Sequence, residues 1–390
     1  MRALLSFLYH LILPALIGCA SALLILIFAP QITEQLPAAL RPPAQEAQSP
    51  DTPEAPAALT KSQPLSYADA VDLATPSVVN IYTRTLVRRK RHPIFDDPLF
   101  LRFFGVRPEP DERVESSLGS GVIMRSNGYI LTNNHVINGA DEIVVALRDG
   151  REANAQVVGS DPDSDLALLK VNLTNLPAIP IAQTKLRVGD VVLAIGNPFG
   201  VGQTVTMGIV SATGRNQLGL STYEDYIQTD AAINPGNSGG ALINSLGELA
   251  GLNTAIFSQS GGNQGIGFAI PANIAERTVE DIIEHGRPIR GWLGIEVQES
   301  TQALLEALDL PKALTGLIVT GLYPQGPAEQ AGLSVGDIIV AIDSSNAIDA
   351  HKAMNQIAAL RPGEKISIKY LHAGKTLITE ATAGQRKTLK

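Results

Sequence analysis

Cysteine is almost missing from this chain of 390 residues, which has one, Cys19. It lies inside an N-terminal apolar stretch. No intrachain disulfide can staple the fold, and neither a Cys-Cys redox motif nor a thiolate zinc site can form. The six histidines show no His-x-x-x-His pairing, which speaks against a structural metal. Basic charge is scarce too. Lys and Arg number 30 against 38 Asp and Glu, a formal net charge of −8. Such a chain lacks the electrostatic footprint of a nucleic-acid binder. Its one dense basic run, Arg88-Arg89-Lys90-Arg91, reads as a solvated loop. The hydrophobic fraction of 45% is ordinary, and the length suits two or three domains of roughly 100–200 residues each.

Leu4 to Ala29 is nearly continuous apolar sequence, interrupted by Ser6, His10 and Ser21. About 20 helical residues cross a hydrocarbon core, whereas a cleaved signal peptide carries a shorter apolar region of about 7–15. The expectation is an uncleaved transmembrane anchor over residues 1–29. Arg2 precedes the stretch and no Lys or Arg follows until Arg41. That asymmetry puts the N-terminus in the cytoplasm and the rest outside it. A rival reading takes Leu16-Ile17-Gly18-Cys19 as a lipoprotein processing site; the apolar run continues well past Cys19, which argues against it. Residues 30–65 are rich in Pro, Ala and Gln and lack Gly, the composition of a semi-rigid tether without a core.

From Ser66 onward short β-branched runs recur: Ser77–Tyr82, Gly121–Met124, Tyr129–Thr132, Glu142–Leu147, Ala155–Val158, Leu166–Val171, Val191–Ile195, Val205–Ser211, Tyr226–Thr229, Ala241–Ile243, Leu249–Ile256 and Ile266–Ile270. Turn signals such as Asn127-Gly128 and Asp149-Gly150 separate many of them. This pattern predicts an all-β unit, a sandwich or a pair of barrels, between which periodicity does not choose. A helix is predicted over Asn273–His285, with Ile274, Val279, Ile282 and Ile283 on its apolar face and Gly286 and Pro288 ending it.

Three motifs follow in order: Thr132-Asn133-Asn134-His135-Val136, Ser164-Asp165-Leu166-Ala167-Leu168 and Gly236-Asn237-Ser238-Gly239-Gly240. A serine hydroxyl is a weak nucleophile and needs an imidazole to take its proton. The imidazole needs a carboxylate to set its tautomer. A tetrahedral intermediate needs backbone N–H donors, and Gly236 permits the tight turn that could offer its own N–H and that of Ser238 as an oxyanion hole. The order His, Asp, Ser is that of chymotrypsin-type enzymes. Each motif alone has a plain structural reading: a histidine after a strand, an acid capping a turn, a glycine-rich loop. Asp161 and Asp163 compete with Asp165, which is preferred because it abuts the apolar strand.

Together with Gly119-Ser120-Gly121-Val122-Ile123, Gly196-Asn197-Pro198-Phe199-Gly200, the run from Gln228 to Gly240, and Gly265-Ile266-Gly267-Phe268-Ala269-Ile270-Pro271, these motifs resemble the HtrA family of envelope serine proteases. The resemblance implies a chymotrypsin-like domain of two six-stranded β-barrels over residues 66–287, with His135, Asp165 and Ser238 as triad. It also implies homotrimers and no cofactor. Within the family the chain is most similar to the DegS/AlgW type, with an anchor, one PDZ module and a short loop from Arg84 to Glu115. That type implies a regulatory protease of the bacterial inner membrane with its catalytic part in the periplasm. Such a protease makes the first cut in a transmembrane anti-sigma factor and so starts an envelope stress response.

Gly291-Trp292-Leu293-Gly294-Ile295, Gly326-Pro327-Ala328-Glu329-Gln330-Ala331-Gly332-Leu333 and Val335-Gly336-Asp337-Ile338-Ile339 resemble a bacterial PDZ module, an α/β domain over residues 288–385 with a helix near Ala350–Ala359. Its expected chemistry is capture of a peptide's C-terminal carboxylate by the Trp292–Gly294 backbone and β-augmentation along the strand from Ile295. Leu293, Ile295 and Met354 would line the pocket for the last side chain; the plain alternative for Ile295 and Met354 is core packing.

The resemblance implies that C-terminal peptides of misfolded outer-membrane proteins bind this module, with Arg215 sensing it and Gln228 in the activation cluster. Ile233 is expected in an apolar specificity pocket. A trypsin-like preference would need a buried acid, for which Asp230 is nearest. The rival functions are a general quality-control protease or chaperone, and a PDZ scaffold whose triad is idle.

Overall fold

The computed structural model describes residues 66–88, 112–198, 202–256, 258, 262–307, 311 and 314–385. The anchor and tether expected over residues 1–65 lie outside these, as do most of the basic run and residues 89–111. Among the described residues no helix is long and apolar enough to cross a membrane.

After a short helix α1 (Ala68–Ala74) come β1 (Val78–Arg88), β2 (Glu112–Arg125), β3 (Tyr129–Thr132), the single-turn α2 (Asn134–Ile137), β4 (Glu142–Ala146), β5 (Glu152–Asp161) and β6 (Leu166–Val171). They close into a barrel of order β1-β2-β3-β6-β5-β4. A second closed barrel, β10-β11-β12-β9-β8-β7, is made by β7 (Val191–Gly196), β8 (Thr204–Arg215), β9 (Tyr226–Thr229), β10 (Ala241–Asn244), β11 (Leu249–Ile256) and β12 (Gly267–Pro271). Closure settles the choice between sandwich and barrels, and it removes the open strand edges that a flat sheet would expose. The segment expected as loop from Arg84 is partly strand, since β1 and β2 stay in register from Val78↔Val122 out to Arg88↔Glu112.

Successive residues of a strand face opposite sides, and here both sides are buried. Ile130, Leu169, Val192 and Leu242 fill the barrel interiors. Their neighbours Leu131, Leu168, Leu193 and Ile243 turn outward into a common cluster between the barrels. That is why these strands read as continuous apolar runs rather than alternating ones. Helix α3 (Ala272–His285) follows β12, and its buried Ala275, Val279 and Ile282 join the same cluster. It ends at Gly286, in the left-handed conformation with φ 72°, whose N–H donates to Ile282 O.

The C-terminal module is a five-strand path of order β14-β15-β16-β18-β19, from β14 (Ile295–Glu299), β15 (Leu317–Leu322), β16 (Ile338–Ile342), β18 (Lys365–His372) and β19 (Lys375–Thr382), with β17 (Ser345–Asn346) paired to β16. Helices α4 (Gln302–Ala307), α5 (Pro327–Gln330) and α6 (Ala350–Ala358) accompany it. Gly291-Trp292, at the start of the segment expected to capture a carboxylate, is a short strand, β13, paired with β20 (Gly384–Gln385).

Residues 64–390 form one compact unit, and ionic contacts tie the protease barrels to the C-terminal module. Asp161 at the end of β5 is paired with Arg290, whose guanidinium also lies 4.3 Å from the Tyr223 ring centroid. Burial opposes the Arg290 charge, but the Asp161 hydrogen bond and charge outweigh it and raise the guanidinium pKa above its ordinary value. Asp281 of α3 accepts from Arg361 and from the Ile289 N–H.

Leu168→Ala would empty a fully buried position between the barrels. It is expected to lower stability by about 2–5 kcal/mol, measured as the denaturant midpoint at unchanged slope. A loss under about 1 kcal/mol would mean that this contact is not a packed core.

Candidate active site and peptide groove

His135 lies in α2 just after β3, and Asp165 ends the turn before β6. Asp165 is held at φ 55°, the left-handed region that non-glycine residues seldom occupy. Its carbonyl accepts from Asn134 N and Asn133 Nδ2. In this conformation both carboxylate oxygens face His135: Oδ2 is 2.6 Å from Nδ1 and Oδ1 accepts from the backbone N–H at 2.9 Å. The three competing acids thereby separate. Asp161 pairs with Arg290 and Asp163 accepts from Thr222 Oγ1, so only Asp165 reaches the imidazole.

The second barrel supplies the other half. Thr254 of β11 donates its hydroxyl to Asp165 Oδ2 at 2.9 Å, and its carbonyl accepts from Ser238 Oγ at 3.2 Å. His135, Asp165, Thr254 and Ser238 thus converge in one hydrogen-bonded chain across the two barrels. In this arrangement the Ser238 hydroxyl rests on Thr254 and not on His135.

The turn that carries Ser238 is fastened to the first barrel. Ser120 N donates to Ser238 O at 2.8 Å, and Ser120 Oγ donates to Gly236 O at 2.7 Å while accepting from Asn197 N. Gly236 has φ 102°. At Gly239, φ 82°, a Cβ would stand 2.1 Å from Ser120 O; only glycine lets the two barrels approach here. Among the described residues neither the Gly236 nor the Ser238 N–H has an acceptor, which leaves both donors available to an oxyanion.

Ile233 is buried in the second barrel and packs beside Gly267. Asp230 is exposed, and its carboxylate accepts from Ile209 N at 2.7 Å. It is not a buried pocket acid. Among the described residues no three His, Cys, Asp or Glu side chains gather as a metal site.

In the C-terminal module, β14 is an edge strand facing α6 across a cavity of about 460 Å³. Trp292, Leu293, Gly294, Ile295 and Met354 all line it. Leu293 is also a core residue, while Ile295 and Met354 are half-buried. Trp292 meets Tyr323 edge-on at 5.4 Å. No sequence signal marked Tyr223, a residue of the segment between β8 and β9 that lines the same groove. Nor did any signal mark Thr254, which looks like an ordinary strand residue; Ser120 lay inside a motif of the resemblance without a role of its own.

Between β8 and β9 runs a loop, residues 216–225, that touches α6 and its N-cap, on the border of this cavity. Asn216 Nδ2 donates to Asp349 Oδ2 at 2.9 Å, and Asn355 Nδ2 donates to Glu224 O at 2.6 Å. The buried Glu224 carboxylate gathers the Leu218, Leu220 and Ser221 N–H groups and so holds the loop in shape. At the loop's start Arg215 Nε donates to Gln228 Oε1 at 2.8 Å.

Two closed barrels with an imidazole, a carboxylate and a serine at their junction define a chymotrypsin-like serine protease. The comparisons agree. The trypsin-like peptidase domain family matches residues 119–252 and the PDZ domain family residues 291–382. The chain is 44% identical over 329 residues to the serine endoprotease DegS of Escherichia coli K12, covering 83% of this chain and 87% of that protein. It is 47% identical over 330 residues to a probable periplasmic serine protease do/HhoA-like of Haemophilus influenzae, covering 81% of this chain and 70% of that protein. Among solved structures, the HtrA-type protease AlgW with a decapeptide superposes with a TM-score of 0.69 at 56% identity, covering 83% of this chain and 100% of that one. The chain belongs to the HtrA family of serine proteases.

Thr254→Val removes the hydroxyl bond to Asp165 and keeps the backbone carbonyl. A hydrogen bond to a charged group is worth about 1.5–3 kcal/mol, so kcat/KM is expected to fall about 10- to 100-fold with little change in KM. Activity equal to the parent would show that Asp165 does not depend on Thr254.

Proposed function

We propose that this protein is a membrane-anchored periplasmic serine endopeptidase whose activity is set by peptides binding its PDZ module. Ser238 is the nucleophile and His135 takes its proton. Asp165 holds the imidazole with Nδ1–H toward the carboxylate and stabilises the imidazolium, and the Gly236 and Ser238 N–H groups receive the oxyanion. The buried apolar Ile233 and the engagement of Asp230 elsewhere favour cleavage after small or medium aliphatic residues. The peptides are C-termini of misfolded outer-membrane proteins. The substrate is a transmembrane anti-sigma factor, whose first cut starts an envelope stress response. Homotrimeric assembly and the inner-membrane anchor over residues 1–29 belong to the same reading; they rest on the family resemblance and on the apolar stretch Leu4–Ala29.

One observation carries the regulatory part. The loop that begins at Arg215 and includes Asn216, Tyr223 and Glu224 is joined to the peptide groove, through Asp349, Asn355 and the groove lining itself. A ligand in that groove would lie against Tyr223, in the segment that leads into β9. The Ser238 hydroxyl on Thr254 O is the resting arrangement from which activation departs.

The test is proteolysis of a candidate anti-sigma factor's periplasmic domain by the full chain, with and without C-terminal peptides. Stimulation of about 5- to 150-fold is expected, the span of typical allosteric coupling. Ser238→Ala should abolish cleavage, and a variant with full biological effect would favour the scaffold reading. Arg215→Ala should lose most of the stimulation; if peptide drives it as strongly as the parent, Arg215 is not the sensor. Digestion of many unfolded proteins without peptide would favour the general quality-control reading.

A further inference from the structure

Ser120 is fully buried in β2 of the first barrel, yet its hydroxyl serves the second. The oxygen donates to Gly236 O at 2.7 Å and accepts from Asn197 N at 3.0 Å. These roles are forced, because a carbonyl can only accept and a backbone N–H can only donate. The single hydroxyl proton therefore has one direction. The rest of the residue is engaged as well. Its N–H donates to Ser238 O at 2.8 Å, and its carbonyl accepts from Thr132 Oγ1 at 2.7 Å. Among the described residues neither Gly236 O nor Asn197 N has another partner. An apolar side chain at position 120 would leave both without one.

What the hydroxyl holds is the link between two donors. The Gly236 and Ser238 N–H groups flank one peptide unit, which runs from the Gly236 carbonyl to the Asn237 N–H. A peptide unit is planar, so holding its two polar ends fixes the whole plane. Asn237 N donates to Asn234 O at 2.9 Å at one end, and Ser120 Oγ donates to the carbonyl at the other. Sterics at Gly236 do not do this work. The residue sits at φ 102°, and no Cβ narrows its choice of dihedral. Just past the second donor, Ser120 N holds the Ser238 carbonyl. One residue of the first barrel thus grips the nucleophile turn at two points, before and after the peptide unit's far end.

We propose that Ser120 is a positioning residue for catalysis: its hydroxyl holds the Gly236–Asn237 peptide unit in the orientation that aims the flanking N–H groups at the oxyanion, without touching substrate. This rests on the reading of Ser238 as nucleophile and of those two N–H groups as the oxyanion hole. An oxyanion exists only once the carbonyl has been attacked, so the hydroxyl contributes to kcat and not to substrate binding. Losing one oxyanion donor outright typically costs about 10²–10³ in rate. A donor turned partly aside costs less, about 10- to 100-fold.

The test exchanges oxygen for sulfur at the reacting carbonyl. A blocked peptide ester with Val at the acyl position, and its thionoester with C=S in place of C=O, are hydrolysed by the full chain. A decapeptide with a free apolar C-terminus is present at saturation. Sulfur is a weak acceptor, so the parent is expected to favour the ester. The ratio of the two kcat/KM values does not depend on how much enzyme is folded, and a merely structural role would lower both alike. Ser120→Ala should lower kcat/KM for the ester about 10- to 100-fold with little change in KM, and the thionoester far less, so that the ratio falls by at least about 5-fold. Ser120→Cys fills nearly the same space with a weaker donor and should lie between; it carries the test if the alanine variant does not fold. A parental ratio in either variant overturns the positioning role and leaves the active-site reading intact. A parent that hydrolyses neither compound, or treats the two alike, overturns the oxyanion reading as well.

Discussion

Asp165 belongs to the first barrel, yet its carboxylate is held by both. On its own side it accepts from the His135 ring and backbone. Across the cleft it accepts from Thr254 of the second barrel. A carboxylate that anchors groups on two separate bodies works only if those bodies cannot drift apart. The cluster of Leu131, Leu166, Leu168, Leu193, Ile195, Ile243 and Leu252 supplies that rigidity. The strained φ of Asp165 is tolerated because its carbonyl and both carboxylate oxygens are spoken for by neighbours. Packing between the barrels therefore holds in place a backbone geometry that would otherwise relax.

The same logic extends to the C-terminal module, with weaker fasteners. Arg290–Asp161 and Arg361–Asp281 are ion pairs whose acidic partners are buried, and such pairs contribute little net stability against apolar contacts. Breaking one partner is costly, but the pairs reward one specific docking rather than a tight one. Loop 216–225 is held by Glu224 within itself and by two hydrogen bonds to α6. That is a small contact, of the size that, on the proposed reading, a ligand in the adjacent groove outweighs.

Much of this was legible beforehand for a physical reason. Strands such as Tyr129–Thr132, Leu166–Val171, Tyr226–Thr229 and Leu249–Ile256 have the bounds the sequence predicts, because burial on one or both faces leaves few polar residues to blur their limits. β2 and β8 extend well beyond the predicted runs, since their outer ends are polar or glycine-containing and carry no apolar signal. Closure into barrels left no mark, because a strand buried on both faces reads alike in any two-layer arrangement. The choice of Asp165 over Asp161 and Asp163 depended on adjacency to an apolar strand; what separates them in space is a backbone dihedral that the sequence does not display. Thr254 and Ser120 each contribute one hydroxyl and one backbone group to the site from within strands whose pattern is that of core packing. The contacts between Arg290 and Asp161, and between Arg361 and Asp281, join positions too far apart in the chain for any local pattern to announce.

On the proposed reading, Thr254 links rest and activity through two atoms of one residue. Its hydroxyl donates to the Asp165 carboxylate, while its carbonyl accepts from the Ser238 hydroxyl. Freeing Ser238 from that carbonyl exchanges one neutral hydrogen bond for another, to the His135 ring. The net worth of such a bond is about 0.5–1.5 kcal/mol. Typical coupling between sites is about 1–3 kcal/mol. A ligand that binds one state of a two-state protein better than the other shifts the balance by that differential affinity and no more. On the proposed reading, a groove ligand needs only an ordinary preference for the altered loop to tip the serine toward the imidazole. The switch can then be sensitive without being loose: the barrels, the acid and the imidazole stay fixed, and one hydroxyl changes its partner.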